Sequence, residues 1–124
     1  MAVTVYYAED ADPSIIRGKK VAVVGYGSQG HAHALNLKES GVDVVVGLRP
    51  ESSSVAQAEA AGLTVMTNDQ AAELAQVIML LAPDTEQNAI YDAHIASQMV
   101  DGKALAIAHG YNIPFDRIHP PAGC

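Results

Sequence analysis

The fold of this chain is decided by residues 21–30, which read VAVVGYGSQG. The first four residues form a continuous apolar run, typical of a strand buried on both faces of a parallel sheet. The last six, Gly25 to Gly30, match the pattern GxGxxG where that predicted strand gives way to a helix. Glycines at these positions allow a tight turn, a close approach of backbone N–H groups to a pyrophosphate, and close helix packing. The stretch therefore predicts a dinucleotide-binding turn, and the alternative is an ordinary tight turn whose glycines serve geometry alone.

Strands and helices alternate along the rest of the chain. Two capping-box spacings, Ser54 with Gln57 and Thr67 with Gln70, predict where two of the helices begin. Apolar runs predict four further strands, at residues 42–46, 63–66, 77–81 and 103–108. This alternation predicts an α/β fold, a doubly wound and mainly parallel sheet of Rossmann type with helices on both faces.

Composition limits the classes of protein to consider. The 124 residues are 49% hydrophobic and 17% charged, which predicts a single compact domain over residues 1–124 with its core at about 19–110. Seven Lys and Arg stand against 14 Asp and Glu, giving a net charge of −7. Because the basic residues are scattered, we expect neither nucleic acid nor an anionic membrane surface as a partner.

Three further features predict a cytoplasmic protein. No apolar run approaches the roughly 20 residues that span a bilayer. Residues 1–12 lack the basic and then apolar profile of a secretory signal. The single cysteine, Cys124, excludes an intrachain disulfide.

The end of the second predicted strand indicates which dinucleotide binds. An NAD site usually has an acidic residue there, about 20 residues after the glycines, to bind the ribose hydroxyls. This chain has Arg49 instead, followed by Ser52, Ser53 and Ser54, which suit a 2′-phosphate and therefore predict NADPH. A solvated loop in which Ser54 caps a helix is the alternative. Glu51 is a contrary sign, because its carboxylate would bind a ribose or repel the phosphate.

Two more candidate segments follow the fourth and fifth predicted strands, where ligands bind in open α/β sheets. Residues 80–87 are expected to run over the dinucleotide, although Asp84 also has the spacing of a helix N-cap paired with Gln87. His109 follows the fifth strand and is either a proton-transfer group or a hydrogen-bonded structural histidine. His31 and His33 lie two apart on a predicted helix, so we interpret them as surface or packing residues and not as metal ligands.

Residues 25–37, 47–49, 83–84 and 108–113 together resemble the amino-terminal domain of ketol-acid reductoisomerase, over nearly the whole chain. That family converts 2-acetolactate-type 2-hydroxy-3-keto acids to 2,3-dihydroxy acids on the route to branched-chain amino acids. It combines a magnesium-dependent alkyl migration with reduction by NADPH. The short loop from Arg49 to Ser54 resembles that of the family's shorter-chain class I.

The resemblance implies a role for each matching residue. His109 corresponds to the family's active-site histidine. Residues 26–29 correspond to the pyrophosphate loop, Arg49 with two serines to the 2′-phosphate site, and residues 84–87 to a further cofactor contact. With the flanking glycines, the expected cofactor-binding residues are Gly25, Tyr26, Gly27, Ser28, Gln29, Gly30, Arg49, Ser52, Ser54, Asp84, Thr85, Glu86 and Gln87.

The resemblance also implies parts that this chain does not contain. In the family a helical, knotted domain follows and supplies the acidic Mg²⁺ ligands, so no metal ligand is assigned here. The full-length enzyme is expected to be a homo-oligomer acting on a small-molecule substrate, and a chain of this length alone is expected to be inactive. The alternative is a stand-alone dinucleotide-binding or sensing module without catalysis of its own.

Overall fold

A computed structural model describes residues 2–124 of the chain. Within that part, five strands form one sheet in the order β3-β2-β1-β4-β5, and every neighbouring pair is parallel. This order is that of a dinucleotide-binding Rossmann sheet and confirms the predicted fold class. The strands are β1 Lys20–Val24, β2 Asp43–Gly47, β3 Thr64–Met66, β4 Val77–Leu80 and β5 Ala104–Ile107.

Helices connect the strands and cover both faces of the sheet. The helix at Asp84–Ile90 continues without a break into a π-helical turn at Tyr91–Ile95, and a 3-10 turn at Gly110–Asn112 follows β5. Among the described residues, no helix is both long enough and apolar enough to cross a membrane. The helices are α1 Ser14–Arg17, α2 Ser28–Glu39, α3 Ser54–Ala60, α4 Asn68–Leu74 and α5 Asp84–Ile90.

The core has two layers because successive side chains of a strand point to opposite faces. Ala22 and Val24 of β1 belong to a cluster with Ala71 of α4, whereas Val23 belongs to a cluster with Ala34 of α2 and Ala58 of α3. Residues 21–24 are at most 1% exposed, so the central strand is buried on both faces as its apolar run predicts. Burial continues past residue 110, where Asn112 and Ile118 are also buried.

One of the two predicted capping boxes is confirmed and the other is wrong. The Thr67 hydroxyl accepts from the N–H of Gln70, and the Gln70 side chain accepts from the N–H of Thr67. Ser54, by contrast, lies inside α3, and its N–H donates to the hydroxyl of Ser52 at 3.2 Å. The reason is the backbone of Ser53, which is already helical (φ −64°, ψ −19°), so the helix begins at Ser54 itself, one residue earlier than expected, and Ser53 takes the N-cap position.

The predicted N-cap at Asp84 is also wrong. Pro83 occupies the N-cap position, and Asp84 is the first residue of α5. The Asp84 carboxylate instead accepts from the side-chain amide of Gln87 at 3.3 Å. The two residues therefore contact each other as the spacing suggests, but through their side chains and without capping the backbone.

Candidate dinucleotide-binding site

A cleft of about 680 Å³ opens at the carboxyl ends of the strands. The segments that follow the five strands form its walls, as expected where the strand order of a doubly wound sheet changes direction. All the site residues predicted from the sequence line this cleft except Gly30 and Thr85. Those that line it are Gly25, Tyr26, Gly27, Ser28, Gln29, Arg49, Ser52, Ser54, Asp84, Glu86, Gln87 and His109.

The three glycines of the turn have three different environments. Gly25 has φ +100°, and a Cβ there would lie 2.9 Å from the backbone nitrogen of Ala82. A Cβ on Gly30 would collide with the carbonyl oxygen of Gly25, so Gly30 allows α2 to pack against the turn, which explains why it does not line the cleft. A Cβ on Gly27 would meet no atom within 4 Å. The backbone at Gly27 is therefore open to an approaching group.

The N-terminus of α2 faces this opening. The N–H of His31 donates to the carbonyl of Gly27 at 2.9 Å, so the N–H groups of Ser28, Gln29 and Gly30 precede the bonds of the helix. Together with the helix dipole, these groups suit an anion such as a pyrophosphate. Tyr26 is buried beside the turn, and the exposed His31 ring meets it edge-on at 5.4 Å between centroids. His31 is thus a packing residue, as expected.

A cation and hydroxyl groups follow β2. The Arg49 side chain is 71% exposed, and its Nε lies 4.0 Å from Oε1 of Glu51. Ser52 and Ser54 stand beside it on the cleft wall. The guanidinium and hydroxyls suit a phosphate on the ribose, while the Glu51 carboxylate competes for the same guanidinium.

Polar side chains from α5, which follows β4, and from the segment after β5 meet on the opposite side of the cleft. Oδ2 of Asp84 lies 3.6 Å from Nδ1 of His109, whose side chain is 75% exposed. The Gln87 amide is buried and donates to the carbonyl of Ala82 at 2.8 Å. Asn112, also buried, donates to the carbonyl of Asp84 and to Oε1 of Gln87, each at 3.0 Å.

Two asparagines at the site were missed by the sequence analysis. Asn68 follows β3, lines the cleft, and is 6% exposed with its Oδ1 2.9 Å from where a Cβ of Gly47 would lie. The rule that ligands bind beyond strand ends could have identified it. Asn112 carried no such signal, because a polar residue in a loop is usually solvated.

The described residues do not fit a magnesium site. Among residues 2–124, no three side chains of His, Cys, Asp or Glu come together in a way that could hold a metal ion. The two groups whose pKa is clearly shifted, Tyr91 and Asp12, do not line the cleft. Burial raises the pKa of Tyr91, and hydrogen bonds from Ser14 lower the pKa of Asp12.

Comparison with known proteins places the chain in a family. Residues 15–124 match the family model described as acetohydroxy acid isomeroreductase, NADPH-binding domain. The chain is 61% identical over 120 residues to the "Ketol-acid reductoisomerase (NADP(+))" of Corynebacterium jeikeium (strain K411), and 58% identical to that of Corynebacterium urealyticum (strain ATCC 43042 / DSM 7109). Both matches cover 97% of this chain but 36% of the relative, so the chain spans about a third of their length.

A solved structure agrees with these relatives. It is described as the NADH-preferring ketol-acid reductoisomerase from an uncultured archean, and it is 43% identical to this chain with a TM-score of 0.91. The match covers 98% of this chain and 38% of that one. The chain therefore belongs to the acetohydroxy acid isomeroreductase family and corresponds to its NADPH-binding domain.

Proposed function

We propose that this chain binds NADPH in the cleft and is the cofactor domain of a ketol-acid reductoisomerase. The enzyme would convert 2-acetolactate-type 2-hydroxy-3-keto acids to 2,3-dihydroxy acids in branched-chain amino-acid biosynthesis. The observation that carries the proposal is that the glycine-rich turn, Arg49 and His109 line one cleft. The relatives, named as reductoisomerases and about three times as long, favour this function over a stand-alone module.

Each wall of the cleft has a part in holding the cofactor. The N–H groups at the start of α2 bind the pyrophosphate, and Gly27 leaves room for it. Arg49, Ser52 and Ser54 bind the 2′-phosphate. Residues 84–87, all but Thr85 lining the cleft, would run along the bound dinucleotide, which would supply a hydride to the substrate.

The preference for NADPH is a separate proposal, because the archaeal relative is named as NADH-preferring. It is supported by Arg49, a cation on the cleft wall after β2, and by the two hydroxyl groups near it. No carboxylate stands between the end of β2 and Arg49 to bind the ribose hydroxyls in its place.

The remaining parts of the reaction concern the full-length enzyme. His109 is the active-site histidine of that enzyme in this proposal. The support is that its exposed side chain lines the cleft. The Mg²⁺ ligands would come from residues outside this chain, and no step is assigned to the metal here. The homo-oligomeric state and the cytoplasmic location stay predictions.

A fluorescence titration of the 124-residue chain with NADPH tests cofactor binding. Gly27→Ala adds a methyl group inside the cleft, in space that no other atom occupies. Gly110→Ala also adds a methyl group in open space, but Gly110 does not line the cleft. We expect Gly27→Ala to weaken NADPH binding by about tenfold or more, which corresponds to about 1.4 kcal/mol. Gly110→Ala should bind like the unchanged chain. No binding by the unchanged chain, or equal effects of the two variants, would contradict the proposal.

A further inference from the structure

A buried asparagine joins the segment that carries His109 to the first turn of α5. Asn112 is 0% exposed and lies three residues after His109, in the 3-10 turn that follows β5. Its Nδ2 donates to the backbone carbonyl of Asp84 and to Oε1 of Gln87, at 3.0 Å each. Both hydrogens of the amide are therefore used in bonds that link the segment after β5 to α5, which follows β4.

The bond from Asn112 also determines how the Gln87 amide is oriented. Gln87 is 3% exposed, and its Nε2 donates to the carbonyl of Ala82 at 2.8 Å and to Oδ1 of Asp84 at 3.3 Å. Since Oε1 accepts from Asn112, the amide nitrogen must face Ala82 and Asp84. Both hydrogens of the Gln87 amide are thus engaged within the protein, although Gln87 lines the cleft.

These contacts close a ring at the edge of the cleft. Oδ1 of Asp84 accepts a hydrogen bond from the Gln87 side chain, while Oδ2 of Asp84 lies 3.6 Å from Nδ1 of His109. The backbone from His109 to Asn112 completes the ring. Because three quarters of the His109 side chain is exposed, its position depends on this backbone segment and on Asp84.

An apolar residue at position 112 would serve packing alone better than an amide does. Oδ1 of Asn112 is buried and has no hydrogen-bond partner among residues 2–124. An unpaired buried acceptor lowers stability, and an apolar side chain of similar shape would avoid that loss. The two bonds that Asn112 donates therefore account for an amide at this position.

We propose that Asn112 is a positioning residue that holds His109 and the Gln87 amide in place at the cofactor cleft. The inference rests on the proposed function of the cleft and deepens it. Asn112 itself does not line the cleft, so it acts through its two partners. Removing its amide should disturb the His109 ring and the binding of NADPH, in addition to lowering stability.

The test compares Asn112→Ala with Asn88→Ala in the 124-residue chain. Asn88 is a matched control, because its amide also ties α5 to the segment after β5, donating to the carbonyl of Arg117 and to Asp92. In the described part of the chain it bonds to neither Asp84 nor His109. The readouts are the NMR resonances of the His109 ring, assigned with His109→Gln, and the affinity for NADPH.

We expect Asn112→Ala to shift or broaden the His109 ring resonances and to weaken NADPH binding about threefold to tenfold, as the loss of hydrogen bonds predicts. Asn88→Ala should lower the melting temperature and change neither readout. The proposal is overturned if Asn112→Ala leaves the His109 resonances in place, or if Asn88→Ala moves them equally.

A second variant keeps the test decisive if Asn112→Ala does not fold. Asn112→Leu has a similar shape and cannot donate either bond, and its apolar side chain leaves no unpaired buried acceptor. It should displace the His109 resonances in the same way, and unchanged resonances would overturn the proposal. A wild-type chain that binds no NADPH would contradict the function proposed for the cleft, whereas the His109 resonances would still test the role of Asn112.

Discussion

The Asp84 carboxylate and the His109 imidazole face each other beyond the carboxyl ends of two neighbouring strands, β4 and β5, with Oδ2 and Nδ1 3.6 Å apart. A carboxylate beside Nδ1 favours the tautomer with its proton there, which leaves Nε2 to point away from Asp84. Both side chains are substantially exposed, so the pair adds little to stability. Its effect is to orient a ring that is three quarters exposed.

The assignment of the 2′-phosphate site predicts a preference for NADPH over NADH. Arg49→Ala should weaken NADPH binding about tenfold to a hundredfold, since a charge-assisted hydrogen bond is lost. NADH has no 2′-phosphate, so its affinity should barely change. Fluorescence titrations of both nucleotides measure this difference. Equal affinities in the wild type, or equal losses in the variant, would remove Arg49 from the phosphate site.

Glu51 should limit that preference. Its carboxylate stands 4.0 Å from the Arg49 guanidinium and would repel a phosphate bound there. Glu51→Gln is therefore expected to tighten NADPH binding by about 0.2 to 1 kcal/mol, the usual range for an exposed charge pair. The gain should shrink as salt is added, because exposed charges are screened. If Glu51 instead accepts bonds from the ribose hydroxyls, the same variant will weaken NADH binding.

The fold could be predicted from the sequence because its signals are local. A parallel strand buried on both faces leaves a continuous apolar run, and β1 shows this at residues 21–24. The same reasoning found β4 and β5 within one or two residues of their ends. The glycine turn was equally clear, since its pattern stood between a predicted strand and a predicted helix.

Other features could not be predicted, because they depend on contacts between distant segments or on the local backbone. Asn112 is buried by partners on α5, and nothing in its own neighbourhood distinguishes it from a solvated loop residue. The spacing at Ser54 equals that at Thr67, yet only Thr67 precedes its helix with an extended backbone (φ −65°, ψ 159°). Residue types at fixed spacing do not reveal those dihedral angles.

Because Thr67 caps its helix and Ser54 does not, alanine substitutions at these two positions should lower the free energy of unfolding by different amounts. Thr67→Ala removes the acceptor for the Gln70 N–H and should lower the free energy of unfolding by about 1 kcal/mol. Ser54→Ala replaces a residue inside α3 that caps nothing, so its effect should stay within about 0.5 kcal/mol. Denaturant unfolding without nucleotide measures both. A larger loss at Ser54 than at Thr67 would mean that the cap assignments are reversed.

A proton-transfer role for His109 predicts a specific loss in the full-length enzyme. His109→Gln should lower turnover by about two to four powers of ten, the usual range for the loss of a general acid or base. NADPH affinity should barely change, because the proposed phosphate contacts lie on the other walls of the cleft. The measurement is turnover per folded molecule that binds NADPH.

His119 provides the control for that experiment. It is similarly exposed and also lies beside a carboxylate, with Nδ1 3.4 Å from Asp116, but it does not line the cleft. His119→Gln should therefore leave turnover unchanged. If His109 is instead a structural histidine, His109→Gln will lower thermal stability and the yield of folded protein, while the remaining molecules turn over normally. Near-normal turnover per folded molecule would then reduce His109 to a packing residue, and the Asp84 contact to a structural one.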